Sequence, residues 1–315
     1  MTCHQDFVHR AVAYSTTDQL VEQVLPFLTR ALDEDQQVIV NVASENVRAL
    51  KQAIGDVGSR ISWTDTYEWV PHPGRRLHAL EELVSTPPSD GRELRFVGEC
   101  AWPTGPGALM DEWNRFDAVL NHTLAGRAVD MLCAFNATRL PDTVLALAMA
   151  SHPWLGGAAD PPANAGFVPA DRMLGDYDPE DLAVPAGAAT AVVTTPGEAR
   201  ELMSRWLGEL GTPTGRIDDT VLVMSELVTN SAKEQARTIT VSHWATAHGF
   251  AVQVDDDGLG MADPLAGYRR AAGHAVSGRG LWIARQLADA FVVASRPGWT
   301  RVRFEMADVG ASGHA

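Results

Sequence analysis

One run constrains the second half of the chain more than any other: Val252-Gln253-Val254-Asp255-Asp256-Asp257-Gly258-Leu259-Gly260. An alternating apolar strand passes here straight into an acidic turn broken by glycine. Alternation puts Phe250, Val252 and Val254 on one face and carries Asp256 onto that same face. The spacing therefore predicts one carboxylate at the rim of a buried apolar layer, where it can accept from an exocyclic amine above an apolar floor. Asp255 and Asp257 fall on the other face, where solvent is expected. Gly258 and Gly260 allow a tight turn and a close approach of backbone to ligand.

The flanking stretches supply the rest of a pocket. Ala188–Thr194 reads as a strand, and Thr195-Pro196-Gly197-Glu198 opens a helix with proline at its first position and an acid in its first turn. Ala199, Leu202, Met203, Trp206, Leu207 and Leu210 follow at helical spacing, which predicts a buried face. A longer helix is expected from about Ile217 to Ala236, carrying Glu226, Asn230 and Lys233 on one stripe. A carboxylate, an amide and a cation in a row suit a Mg²⁺–phosphate group, with hard oxygen ligands for the ion and positive charge for the phosphates. Asn230 is the candidate metal ligand. Two strands, Thr238–His243 and Phe250–Val254, lead into the acidic turn, and a loop from Met261 to Ser277 follows it. Gly278-Arg279-Gly280 then opens a helix, where backbone N–H groups and the positive helix end favour anions. A hairpin, Phe291–Ser295 with Thr300–Met306, closes the segment.

The first half has a different rhythm. A strand at His9–Tyr14, a helix capped by Thr17-Asp18, a buried strand at Val38–Val42 and a helix from Ser44 give a β-α-β-α opening. Further strands at Arg95–Val97 and Val129–Cys133 alternate with helices near Arg76–Val84, Asp111–Leu124 and Asp142–Ala150. This predicts an α/β fold on a mainly parallel sheet. No GxxxxGK[ST] or GxGxxG follows any strand, so nucleotide hydrolysis is not expected in this half. His9, Tyr14, Trp63, Tyr67, Trp69, Glu99, Trp102, His122, Cys133 and His152 stand out. They read either as core aromatics and satisfied histidines or as a ligand or metal site.

Charge is uneven: residues before Thr190 hold 13 Lys and Arg against 26 Asp and Glu, and the remainder 12 against 14. Such an acidic half argues against nucleic acid or an anionic membrane as partner. Cys3, Cys100 and Cys133 show no CxxC spacing, and reduced thiols are expected. With no basic-then-apolar start and no apolar run of about 18 residues, a cytoplasmic location is the expectation. Residues 156–185 are rich in Gly, Ala, Pro and Asp and read as linker.

Two resemblances follow from these motifs. His-x4-Tyr at the start, Gly98-Glu-Cys-Ala-Trp-Pro103, Leu132-Cys-Ala-Phe-Asn136 and His152-Pro153 resemble the MEDS sensory domain, an input module related to RecA-type folds but lacking their phosphate loop. That implies sensing of an unidentified small molecule or protein signal. Glu226-x3-Asn230, then Asp256-x-Gly258-x-Gly260, then Gly278-x-Gly280 resembles the motif order of the gyrase and histidine-kinase-like ATPases. The Ser-Glu-Leu-Val-Thr-Asn and Gly-Arg-Gly-Leu-Trp-Ile-Ala segments look most like the anti-sigma-factor serine kinases. The resemblance implies an α+β domain of Bergerat type, a mixed sheet layered on helices. It also implies ATP and Mg²⁺ as cofactors: Asn230 on Mg²⁺, Asp256 on the adenine amine, Glu226 as catalytic base, and Lys233, Gly258, Gly260, Gly278, Arg279 and Gly280 around the phosphates and lid. The segment after Asn230, Ser-Ala-Lys-Glu-Gln, departs from the Ala-x-x-His usual in anti-sigma kinases, and Lys233 is closer to the sensor histidine-kinase pattern.

The expected organisation is a sensory domain at 1–170, a linker at 171–187, an ATP-binding domain at 188–307 and a tail at 308–315. The expected activity is ATP-dependent phosphorylation of Ser or Thr on an anti-sigma antagonist or sigma-factor-like partner. The alternatives are a nucleotide-dependent module that sequesters a sigma factor or response regulator without phosphotransfer, or a histidine kinase-like sensor. Against the last, no segment resembles a phosphoacceptor helix pair. No nucleic acid or membrane partner is expected, and homodimer formation is left open.

Overall fold

The computed structural model describes residues 7–70, 72–85, 92–100, 107–175, 182–261, 263–269 and 279–307. They cluster into two compact units, one drawn from Met1–Pro103 and Trp113–Ala170, the other from Thr104–Glu112 and Asp171–Ala315. Trp102, Gly278, most of the Met261–Ser277 loop and the tail from 308 lie outside the described residues.

The chain opens with β1 (Val8–Tyr14), α1 (Thr17–Asp33), β2 (Gln37–Val42) and α2 (Ser44–Ile54). It continues through β3 (Ile61–Asp65), α3 (Pro73–Ser85), β4 (Leu94–Glu99), α4 (Gly107–Thr123), β5 (Val129–Asn136), α5 (Asp142–Ala150), β6 (Trp154–Leu155) and α6 (Ala170–Gly175). The strands form one sheet in the order β3-β2-β4-β5-β1-β6, and each pairing is parallel. Parallel strands need crossovers, and the intervening helices supply them. Val12 and Tyr14 of β1 with Leu132 and Ala134 of β5 bury one face of the sheet against Leu20, Val24 and Phe27 of α1. His9 and Ala11 fall on the opposite face, as does Cys133, which is paired in register with Ala11.

Only Ser15 and Thr16 separate β1 from α1, so no phosphate loop fits there. The cap sits one residue before the expected Thr17: Thr16 is extended and its Oγ1 accepts from Gln19 N at 3.2 Å. The strand β3 was not legible from the pattern. It is a short edge strand with only its first residue fully buried, so it carries little apolar signal.

The second unit contains β7 (Ala189–Val193), α7 (Pro196–Glu209), α8 (Thr214–Lys233), β8 (Ile239–Thr246), β9 (Gly249–Asp256), α9 (Gly280–Leu287), β10 (Ala290–Arg296) and β11 (Trp299–Ala307). Its sheet runs β10-β11-β9-β8-β7, with the three helices layered on the apolar face. The class is the expected α+β one, but every pairing is antiparallel instead of mixed. Two of the four pairings are tight hairpins, which can join only antiparallel strands. Thr195 caps α7 by accepting from Glu198 N at 3.2 Å, and Glu198 reaches back to Thr194 N at 2.7 Å. Ala199, Met203 and Leu207 of α7 are fully buried, whereas Leu210 is exposed because the helix ends before it. No described helix is long and apolar enough to cross a membrane.

His243 on β8 is buried and packs against Trp206 of α7, with ring centroids 4.2 Å apart and the planes tilted by 45°. Burial holds its imidazole below the usual histidine range. Unfolding restores a group that ionises near ~6.5, so the unfolded chain binds a proton the folded chain refuses. The stability His243 contributes is thus present above about pH 7 and is lost as the pH falls through ~6.5 and below. His243→Phe keeps an aromatic ring against Trp206 without the titration. It should reduce the drop in melting temperature between about pH 7.5 and 5.5, followed by circular dichroism.

Candidate functional site

The strand β9 sets the floor of the site. Phe250, Val252 and Val254 are almost fully buried on one face, and Asp256 ends that face with 7% of its surface exposed. Its Oδ2 accepts from Ser231 Oγ at 2.7 Å, and its Oδ1 accepts from Gly258 N at 3.0 Å. Asp256 is therefore fixed at both oxygens, by α8 on one side and by its own turn on the other. Ser231, buried beside Asn230, was not singled out from the sequence. It lies one residue after Asn230, off the Glu226–Asn230–Lys233 stripe, so nothing in the spacing marks it. Thr300 of β11 lies directly opposite Asp256 in the sheet register and is also buried.

The other two aspartates do not simply face solvent. Asp255 forms an ion pair with Arg301 of β11 and accepts from Gln253 Nε2 at 2.8 Å. Arg301 and Arg303 lie along that second face of the sheet, which the alternation of β11 places there. Asp257 is exposed, yet its Oδ1 accepts from the backbone N–H groups of Arg237 and Thr238 at 2.7 and 2.9 Å. Those hydrogen bonds hold its carboxyl below the usual carboxylate range. Asp257 thus fastens the α8–β8 connection to the end of β9.

The glycines divide by what they touch. A Cβ on Gly258 would lie 2.7 Å from the carbonyl oxygen of Glu234, just past the end of α8. Gly260 has φ +85°, and a Cβ there would overlap the backbone carbonyl of Arg296 in the β10–β11 turn. Leu259 N donates to Glu234 O at 2.8 Å, so the turn is wedged between α8 and that hairpin. Gly280, the first residue of α9, is different. A Cβ on it would overlap Glu226 Oε2 and come within 3.3 Å of Asn230 Nδ2. The start of α9 therefore lies directly on the Glu226–Asn230 stripe. The first-turn N–H groups of any α-helix lack partners within the helix, and here they open beside a carboxylate and an amide. Gly267, with φ +82°, packs equally closely on Leu281 and brings the preceding loop onto the same helix.

The stripe is not uniform. Glu226 and Asn230 are half-buried, whereas Lys233 in the last turn of α8 is exposed. Arg279 precedes α9 as its cap residue, without a side-chain capping hydrogen bond. The residues brought together are Glu226, Asn230 and Gly280, with Asp256, Ser231 and Gly258 forming a second group at the end of β9. Both groups share α8, whose neighbouring positions 230 and 231 serve one each. A cation would meet the side chain of Asn230, whose amide oxygen comes round by a half-turn of its terminal torsion, in a cradle that any Cβ at position 280 would fill.

Residues 8–153 match the family model of the MEDS domain, described as the MEthanogen/methylotroph, DcmR Sensory domain. Residues 189–306 match that of the histidine kinase-like ATPase domain. The chain joins a MEDS domain to a histidine kinase-like ATPase domain, in that order. No curated protein matches the chain. The second domain is accordingly an ATP-using, kinase-like ATPase module, a class that ordinarily works with Mg²⁺, and the first makes the whole a signal-responsive regulator.

In the MEDS domain the polar residues singled out from sequence separate into groups. Glu99 accepts from Tyr14 Oη at 2.5 Å, from Asn46 Nδ2 at 2.8 Å and from Ala43 N at 2.8 Å, so it is fully engaged at the carboxyl end of the parallel strands. Burial and the Glu99 carboxylate push the Tyr14 hydroxyl well above the usual tyrosine range. Trp63 donates to Gly58 O, and Tyr67 accepts from Arg139.

Two substitutions separate the glycine roles. Gly260→Ala meets both a left-handed backbone and a fixed carbonyl, and should destabilise the domain by about 1–3 kcal/mol, read as a lower melting temperature. Gly280→Ala meets the mobile end of Glu226 and should leave melting nearly unchanged. It should nevertheless weaken ATP binding about tenfold or more in isothermal titration, because it displaces the carboxylate and crowds the helix start.

Proposed function

We propose that the chain is a signal-responsive protein kinase: its second domain binds Mg·ATP and transfers phosphate to a serine or threonine of a partner, under control of the MEDS domain. The observation that carries this reading is the approach of Gly280 to both Glu226 and Asn230, which puts a carboxylate beside the helix start suited to phosphate. The partner that fits is an anti-sigma antagonist or a sigma-factor-like protein, as the resemblance of the Ser225–Asn230 and Gly278–Ala284 segments implies.

On this reading each residue has a distinct role. Asp256, held by Ser231 and Gly258, accepts from the adenine amine, and the apolar strand β9 supports the base. Asn230 holds Mg²⁺, which when bound offsets the phosphate charge. Glu226 takes the proton of the acceptor hydroxyl as its oxygen bonds to the γ-phosphorus and the bond to the β-phosphate oxygen breaks, leaving ADP. The first-turn N–H groups of α9 receive the charge that spreads over the transferred group. Lys233, exposed in the last turn of α8, contributes a positive charge for the phosphates.

The test uses the whole protein with γ-labelled ATP, Mg²⁺ and candidate antagonist proteins. Acid-stable label should appear on the partner, and Glu226→Gln should lower its rate by about 10²–10⁴-fold. ATP affinity should change far less than that rate. Acid-labile label would point to histidine chemistry, and tight ATP binding without transfer to any partner would leave a sequestering module in place of a kinase.

A further inference from the structure

The MEDS domain contains a cluster that the nucleotide site does not use. His9 on β1, Asp117 on α4, Cys133 on β5 and His152 just after α5 converge on the sheet face opposite α1. Each offers one ligand atom, all within 4.8 Å of one another. His9, Asp117 and His152 are 0% exposed and Cys133 is 3% exposed. Asp117 did not stand out in the sequence because Glu112, Asn114 and Arg115 share its stretch of α4, so an acid there reads as one more polar residue.

The hydrogen bonds around the cluster orient it inward. His152 Nδ1 donates to Ala148 O at 2.7 Å, which leaves the lone pair on Nε2. That nitrogen is buried without a hydrogen-bond partner. His9 Nδ1 lies 3.2 Å from Asn121 Oδ1, and the Asn121 amide is set by its own donation to Ser151 O at 2.7 Å. Asn121 therefore presents an acceptor, His9 carries its proton on Nδ1, and its Nε2 lone pair faces Cys133 Sγ at 3.4 Å. Asp117 Oδ2 accepts from Ser151 Oγ at 3.0 Å, while Oδ1 is buried and unpartnered, 3.9 Å from His9 Nε2. Two imidazoles, each with its lone pair on Nε2, a thiol and a carboxylate thus share one buried space. Hydrogen bonds to the far ring nitrogen are how metal-ligating histidines are fixed.

We propose that the MEDS domain binds one divalent transition metal of zinc type on His9 Nε2, Asp117 Oδ1, Cys133 Sγ and His152 Nε2. A buried carboxylate without a cation costs several kcal/mol, and a divalent ion bound by one thiolate, one carboxylate and two neutral imidazoles makes the site electrically neutral. Binding displaces the Cys133 proton to solvent, forming the metal–sulfur bond. Two nitrogens, one sulfur and one oxygen complete a tetrahedron, which is the closed arrangement of a structural site and not the open one of a catalytic site. The ion ties β1, α4, β5 and the chain after α5 to one point. Metal occupancy is then a signal this domain can read.

The full-length protein, stripped by a chelator under reducing conditions, should bind about one Co²⁺ per chain. The complex should show tetrahedral d–d absorption and a thiolate-to-cobalt charge-transfer band, and Zn²⁺ should displace the cobalt. Cys133→Ser should abolish the charge-transfer band, and Cys100→Ser should keep it. Asn121→Leu, which touches no metal, should weaken binding roughly 10- to 100-fold. A stripped chain that retains its circular dichroism and binds no cobalt overturns the proposal, as does a band that survives Cys133→Ser. If stripping or substitution unfolds the chain, the metal content of the purified protein decides: about one transition ion per chain supports the site, and none overturns it.

Discussion

The approach of α9 to α8 at Gly280 is the constraint on which the placing of a helix start beside Glu226 and Asn230 depends. Two helices can bring a helix start onto a stripe of functional side chains only where the contact residue has no Cβ. Here any side chain at position 280 would occupy the space of the Glu226 carboxylate and crowd Asn230. The remaining geometry supports that approach. Gly267 lets the preceding loop lie against Leu281, and Gly258 and Gly260 let the acidic turn wedge between the end of α8 and the β10–β11 hairpin. The four glycines are spaced along the sequence, and each marks a separate close approach.

The same economy appears in α8. Its successive residues Asn230 and Ser231 face different neighbours, one toward the start of α9 and one toward Asp256. A single helix therefore sets the distance between the end proposed for phosphate and the end proposed for the base. In the other domain, four elements are brought together by residues that are each unremarkable alone, and the buried hydrogen bonds of Asn121 and Ser151 decide which atoms face inward.

Much of this was legible in the sequence, because periodicity reports burial. The parity of β9 placed Asp256 with Phe250, Val252 and Val254, and the structure buries all four together. The α/β character of the first half followed from its alternating strands and helices. Parity failed for Asp255, since it indicates which face a residue is on but not what else covers that face; Arg301 does so here. It failed for Ser231 because a small hydroxyl in a helix has many uses, and for Asp117 because Glu112, Asn114 and Arg115 in the same stretch leave one more polar residue without distinction. The strand β3 lacked apolar residues enough to announce itself, and the cap of α1 was misplaced by one residue between two adjacent threonines.

Whether Asp256 reads an exocyclic amine at the end of β9 is decided by comparing ATP with inosine triphosphate, which has a carbonyl in place of that amine. A hydrogen bond to an ionised group is worth about 1.5–3 kcal/mol, or roughly ten- to a hundredfold in affinity. Isothermal titration of the whole protein should show ATP preferred by that factor, with Asp256→Asn, folded as judged by its melting, losing most of the preference. Equal affinity for the two nucleotides, or a preference untouched by Asp256→Asn, would contradict the account.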